Sequence, residues 1–348
     1  MRAAQFGKLS PRVVRGLFRF EDERLEQTLW KRDDQPGLHF ANPVGLAAGF
    51  DKNAELLRFW PSVGFGFAEV GSVTALPSEG NPRPRAFRLP ADRALINRMG
   101  LNNDGAEAVA AHLAELKKPE GFVLGINVAK THDPSILGDD ATEDFRTSVH
   151  HLLPFADCLA LNVSCPNTAE GKTFEESEAL DALLAAVMEE RAAQNSLTPV
   201  LVKFSPPVSV DDMGNVDELI ALSLEHGVEG FIATNTASDR KGLRSSKARL
   251  SDIGAGGLSG RPLAERSTAL VRHLFRKTNG AVPIIGVGGI DSPETAYERI
   301  RAGASLIQLY TGLIYEGPAL IKRINKGLVR LLQRDGFGSV GEAVGVDT

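Results

Sequence analysis

The chain has 348 residues, 43% of them hydrophobic and 24% charged, which suits one α/β barrel with an appendage. Its net charge of -5 leaves no basic excess to neutralise phosphates, so a general nucleic-acid binder is excluded. No apolar run approaches the ~20 residues that span a bilayer, no signal-peptide h-region is present, and two cysteines point to a reducing compartment.

Residues 1–37 read as an N-terminal helical segment, separate from a barrel over 38–348. "SPRVVRGLFRF" has a helix start at Ser10 with Pro11 in the first turn. Val13, Val14, Leu17 and Phe18 form one face, and Arg12, Arg15 and Arg19 the other. A second helix is expected over "EDERLEQTLWKR", acids first and bases last, as the helix dipole favours. The pair could cover the barrel floor or anchor the chain at a membrane interface.

Beyond residue 40 one rhythm repeats: a short apolar run, a glycine-rich or polar stop, then a helical pattern. The runs are 43–49, 65–73, 121–129, 158–164, 199–205, 230–235, 283–289 and 305–312. They are near-continuously apolar, as parallel strands buried on both faces must be. Eight βα units with right-handed crossovers imply a (β/α)8 barrel; a doubly wound open sheet is the alternative. The polar stretch 240–256 carries no signal for or against order.

Barrel chemistry collects where strands end. Those positions offer Asp51-Lys52, Ser72, Asn127-Lys130, Asn162-Cys165-Asn167, Lys203, Thr234-Asn235-Thr236, Gly288-Gly289 and Tyr310-Thr311-Gly312, and a loop after the second strand adds "INRMGLNN". The set is rich in amides and poor in carboxylates. His132, His150 and His151 lack ligand spacing and read as surface or helix-end residues, so no metal is expected.

The glycines after the seventh run and "YTG" after the eighth mark the phosphate site that many barrels share. Lys203 ends an apolar run, where an ammonium needs a partner: either an acid elsewhere in the chain or a flavin, whose reduced anion it would stabilise. Asn97, Asn127, Asn162, Asn167 and Asn235 each pair a donor with an acceptor, the set that reads a ring alternating N–H and C=O. Cys158 and Cys165, placed on one strand, would stand ~23 Å apart, too far for a disulfide. A thiol of pKa ~8.5 in a polar loop suits proton removal beside a carbonyl, although a buried cysteine can equally be a small apolar filler.

Taken together, "NPVGLAAGFDKN", "EVGSVT", "GNPRPRAFRLP", "INRMG", "GIN", "LNVSCPNT", "LVKF", "IATNT", "GGLSGRPL", "PIIGVGGI" and "AGASLIQLYTG" run in the order of one family. The chain resembles the dihydroorotate dehydrogenases, FMN enzymes of pyrimidine synthesis. The resemblance implies that FMN contacts Ala48, Gly49, Lys52, Ser72, Asn127, Asn162, Lys203, Thr234, Gly260, Gly289, Tyr310 and Thr311. It places dihydroorotate against Lys52, Asn97, Arg98, Met99, Gly100, Leu101, Asn162, Asn167, Asn235 and Thr236. Cys165 falls at the base position, to take the C5 proton while C6 gives up a hydride, and Thr168 follows in the loop to pass the proton on.

"GNPRPRAFRLP", "GVGGI", "LYTG" and the helices before residue 38 resemble the quinone-reducing class, which binds the cytoplasmic side of the cell membrane peripherally. The cysteine base is typical of the soluble class, Leu101 replaces a phenylalanine common in the quinone class, and the flap "NTAEGKTFEE" lacks the usual "PGLR". Dihydroorotate oxidation with quinone as acceptor is the expected activity. The alternatives are a soluble enzyme using fumarate or NAD, and a flavin-binding barrel without catalysis. A thiol base further implies activity at lower pH than a serine base would allow.

Overall fold

The computed structural model describes residues 11–33, 35–164 and 173–348. In chain order its strands are β1 (Gln27–Leu29), β2 (Leu38–Phe40), β3 (Val44–Leu46), β4 (Phe67–Val73), β5 (Ala86–Leu89), β6 (Ala94–Asn97) and β7 (Val123–Val128). There follow β8 (Cys158–Asn162), β9 (Val200–Phe204), β10 (Gly230–Ala233), β11 (Gly257–Gly260), β12 (Ile284–Val287) and β13 (Leu306–Leu309). Eight of these close into a parallel barrel in the order β10-β12-β13-β3-β4-β7-β8-β9. All eight apolar runs are its strands, and the open-sheet alternative is ruled out by closure.

Helices follow most strands, for example Asp139–Leu152 after β7 and Ser177–Ala193 after β8. The link from β3 to β4 has only a 3-10 turn, Trp60–Val63, and the N-terminal helix Pro11–Phe18 packs against that turn and against helix Ala319–Asp335. Val14 is buried there, while Val13 and Leu17 are 49% and 58% exposed. The apolar face expected of this helix is therefore split, one part packed and the other turned to solvent.

The second N-terminal helix does not form. Residues 21–32 contain a 3-10 turn, Glu23–Leu25, capped by Asp22, and then β1, which pairs antiparallel with β2 (Gln27↔Phe40, Leu29↔Leu38). Helical propensity loses to a tertiary demand: the lower end of the barrel needs an apolar cover. Leu29, Trp30 and Leu38 pack over Phe40 and Phe67, whose rings meet edge to face at 5.5 Å. Trp30 Nε1 donates to the Glu229 carbonyl at 2.8 Å, and Arg32 pairs with the Glu229 carboxylate, which ties the hairpin to the barrel.

At the opposite end β5 and β6 form a hairpin that β11 extends antiparallel, with Asn97 opposite Gly257. The "IN" of "INRMG" is thus the end of a strand rather than a loop. Leu89, Ala94, Ile96, Ala237, Ile253, Leu258 and Leu263 give this sheet its own small core. The 240–256 stretch is ordered beneath it: Ser246 caps helix Lys247–Ile253 through the Arg249 N–H.

Candidate active site

A cavity of about 1140 Å³ opens over the carboxyl ends of the barrel strands, walled on one side by the β5-β6-β11 sheet. That exceeds the usual range for one small ligand and leaves room for a cofactor with a second ring beside it. Ala48, Gly49, Lys52, Ser72, Asn162, Lys203, Thr234, Gly260, Gly289, Tyr310 and Thr311 all line it. So do Asn97, Arg98, Met99, Gly100, Leu101, Asn235 and Thr236. Cys165, Asn167 and Thr168 lie outside the described residues. Asn127 is fully buried behind the lining rather than on it.

Other strand-end candidates turn elsewhere. Asp51 accepts from Trp60 Nε1 at 2.8 Å and the Leu56 N–H at 3.0 Å, a local structural role. Lys130 Nζ donates to the Thr131 and Asp133 carbonyls at 3.0 and 2.7 Å. His150, at its helix end, meets Glu190, whereas His132, expected only at the surface, is exposed and also lines the cavity mouth.

The amides that line the cavity form a relay. Asn235 Nδ2 donates to Asn162 Oδ1 at 3.0 Å and to Ser164 Oγ at 2.7 Å, and Ser164 Oγ donates to Asn162 Oδ1 at 2.8 Å. Asn162 Nδ2 reaches Ser72 Oγ at 3.3 Å, and Asn235 Oδ1 accepts the Thr236 N–H at 2.8 Å. Counting donors and lone pairs, one Asn162 N–H and one Asn235 acceptor site remain for a ligand. Asn97 Nδ2 spends one hydrogen on the Gly257 carbonyl at 3.3 Å. Gly257 must be glycine here, because a Cβ would sit 2.2 Å from Thr236 Oγ1.

Under the cavity is the acid that sequence reasoning left unnamed. Glu69 of β4 is 2% exposed, and its Oε1 lies 3.2 Å from Lys203 Nζ. The carboxylate also accepts from Asn127 Nδ2 at 2.6 Å and Gln308 Nε2 at 2.5 Å. Lys203 therefore has a chain partner as well as a place on the cavity lining. Glu69 and Gln308 escaped the sequence reading because both sit inside apolar runs. Alternation along "GFGFAEV" puts Glu69 on one face with Phe65 and Phe67, a polar residue inside a strand buried on both faces, which was the signal available.

Lys52 has no carboxylate partner among the described residues. Burial and the nearby Arg85 guanidinium push its ammonium down to about 8. An anion placed beside it would restore the usual charge. Arg98 lines the same wall, but its guanidinium lies 4.8 Å over the Phe87 ring and donates to the Ile253 carbonyl, so its charge is already engaged.

The far end of the cavity has a different chemistry. Gly288 and Gly289 have φ of 108° and 75°, and a Cβ on Gly289 would meet Ala264 Cβ at 2.5 Å, so the β12 turn lies directly on the start of helix Ala264–Thr278. Ser259 and Thr311 hydroxyls meet at 2.8 Å beside it. Backbone N–H groups and hydroxyls without a carboxylate make a fitting cradle for a phosphate. Cys158, by contrast, is enclosed in the barrel interior, where burial pushes its thiol far up and leaves it an apolar filler.

A family model described as dihydroorotate dehydrogenase matches residues 32–332. A dihydroorotate dehydrogenase (quinone) from Roseiflexus sp. strain RS-1 is 44% identical over 346 residues, 99% of this chain and 91% of that protein. The corresponding protein of Deinococcus deserti is 46% identical over 342 residues, 97% of this chain and 90% of its own length. Among solved structures, Eimeria tenella DHODH in complex with ferulenol matches with a TM-score of 0.85 at 35% identity, covering 99% of this chain and 92% of that one. With the fold, the cavity and these relatives in agreement over nearly the whole length, the chain belongs to the dihydroorotate dehydrogenase family.

Proposed function

We propose that the protein oxidises (S)-dihydroorotate to orotate in pyrimidine synthesis, with FMN in the cavity and a quinone as electron acceptor. The observation that carries the reading is one cavity joining an amide relay, a lysine with no carboxylate partner among the described residues and a glycine-lined anion end. The buried oxygen Gln308 Oε1, which meets no donor among the described residues, fits a ring that brings an N–H group to the cavity floor. FMN would be held by Gly260, Gly289, Tyr310 and Thr311 at its phosphate end and by Ser72, Asn162, Lys203 and Thr234 along its ring. Ala48, Gly49 and Lys52 would lie against it.

Bound there, FMN supplies the hydride acceptor. The chain's own residues hold the substrate and move a proton. Lys52 would neutralise the dihydroorotate carboxylate, while Asn97, Asn162, Asn167, Asn235 and Thr236 read its alternating N–H and C=O groups. Met99, Gly100 and Leu101 would wall the ring, with Arg98 holding that wall in place. Cys165 takes the proton from C5 as C6 gives up its hydride, so both electrons leave with C6 hydrogen and the C5–C6 double bond forms.

For the acceptor, the relatives named dihydroorotate dehydrogenase (quinone) support a quinone, and the exposed Val13 and Leu17 beside Arg15 and Arg19 support peripheral docking on the cytoplasmic face of the cell membrane. Among the described residues the docking element is the helix Pro11–Phe18, since β1 belongs to the barrel floor. Among the described residues no helix is long and apolar enough to cross a membrane.

The test is anaerobic bleaching of the purified protein's flavin by dihydroorotate, followed by timed reoxidation with ubiquinone, fumarate or NAD. Fast return of the oxidised spectrum with ubiquinone alone is the expected result. Return with fumarate would assign the soluble acceptor, and a flavin that dihydroorotate never bleaches would overturn the activity.

A further inference from the structure

Beneath the cavity the barrel encloses a carboxylate whose neighbours are only half satisfied. Glu69, on β4, receives donors from three other strands: Asn127 on β7 at 2.6 Å, Lys203 on β9 at 3.2 Å and Gln308 on β13 at 2.5 Å. A carboxylate accepts and does not donate, so neither amide can turn its oxygen toward it. Both nitrogens are held toward Glu69 and both oxygens away from it. Those two oxygens, Asn127 Oδ1 and Gln308 Oε1, are buried and have no donor among the described residues. Buried acceptors are satisfied in nearly all proteins, so a pair of them around one carboxylate calls for a shared partner. Gln308 and Lys203 are on the cavity lining and Asn127 is packed behind it, so the partner that Gln308 lacks would come from the cavity.

We propose that Glu69 is a positioning residue that sets the polarity of the cavity floor, holding the Gln308 oxygen ready to accept from the bound flavin, fixing Asn127 behind it and offsetting the charge of Lys203. It rests on the flavin reading above. Touching neither substrate nor the reacting atoms, Glu69 acts through Lys203 and Gln308, which line the cavity, and through Asn127 packed behind them. A neutral amide at this position could itself donate, so Asn127 and Gln308 would be free to turn over. Lys203 would then stand without its counter-charge and favour the reduced, anionic flavin.

The experiment compares the purified full chain with Glu69→Gln, measuring FMN affinity by titration of the apoprotein and the flavin midpoint potential by equilibration with reference dyes. Glu69→Gln is expected to bind FMN about tenfold more weakly, the loss of one well-made buried acceptor. It is expected to prefer reduced over oxidised flavin about tenfold more than the parent, a rise of about 30 mV for a two-electron couple. Affinity and potential both unchanged would overturn the proposal. Should Glu69→Gln fail to fold, Gln308→Leu removes one oriented acceptor and leaves the Lys203 pair intact. It is expected to weaken FMN several-fold with the potential unmoved, and no loss of affinity would overturn the proposal. If the parent chain takes up no FMN at all, the flavin reading falls and this one with it; if the parent binds and the variants match it, only the role of Glu69 falls.

Discussion

The two ends of the barrel are built from opposite materials. At the floor, β1 and β2 lay Leu29, Trp30 and Leu38 over Phe40 and Phe67, an apolar seal with one tryptophan hydrogen bond to the chain beneath. At the mouth, glycines, hydroxyls and amides surround a cavity, with amide oxygens beneath it and a lysine beside it that find no partner among the described residues. The floor gains stability from each group it buries, whereas the mouth holds groups in readiness for a ligand and forgoes stability to do so. Substitutions at the two ends should therefore separate activity from folding.

The sharpest separation comes from Cys165. Cys165→Ala should lower kcat by about 10²- to 10⁴-fold, the usual contribution of a general base, with the melting temperature unchanged. Cys165→Ser should recover part of the rate only at higher pH, because a hydroxyl gives up its proton far less readily than a thiol. A pH–rate profile unmoved by that change would remove Cys165 from the base position.

The floor should show the reverse. Phe67→Ala is expected to cost about 3–5 kcal/mol of stability by leaving a cavity under the barrel, read from denaturant unfolding, while the protein that remains folded keeps its affinity for orotate. A large loss of orotate affinity in the folded fraction would mean that the two ends are coupled.

Lys52 brings pH into the mouth. Its ammonium is intact well below the value of about 8 to which burial and Arg85 push it, and is lost as the pH rises through that value. Affinity for orotate should thus be level at acidic and neutral pH and fall by up to about tenfold per unit above pH 8. Lys52→Met should bind weakly and show no such slope; isothermal titration at several pH values measures both.

The smallest effect belongs to the floor's tryptophan hydrogen bond. Trp30→Phe removes the hydrogen bond to the Glu229 carbonyl but keeps the aromatic cover, so a loss of about 1 kcal/mol in unfolding free energy is expected, with kinetics unchanged.

Much of this division is legible in the sequence. Eight apolar runs named the eight barrel strands, and reading only the residues at their ends collected Lys52, Ser72, Asn162, Lys203, Asn235, Gly289 and Thr311, all of which line the cavity. That works because strand identity and barrel geometry both follow from local pattern: continuous apolar runs, glycine stops and helical spacing between them. The reading failed at 21–32, where charges at the two ends of a short segment suggested a helix and a strand formed instead. It also passed over β11, whose partner β6 lies 160 residues earlier in the chain at the Asn97–Gly257 pair.

The sequence by itself thus determined the barrel, the strand ends over which the cavity opens and the families of side chain that gather there, since each is written in short-range periodicity. Only the tertiary structure decided that a hairpin closes the floor, that Glu69 is the partner of Lys203, and that Asn127 stands behind the cavity rather than on its wall. Those outcomes depend on which distant groups share a low-dielectric interior and must satisfy one another there. A buried carboxylate with three donors from three strands has no signature along the chain, because its partners meet only when the barrel closes.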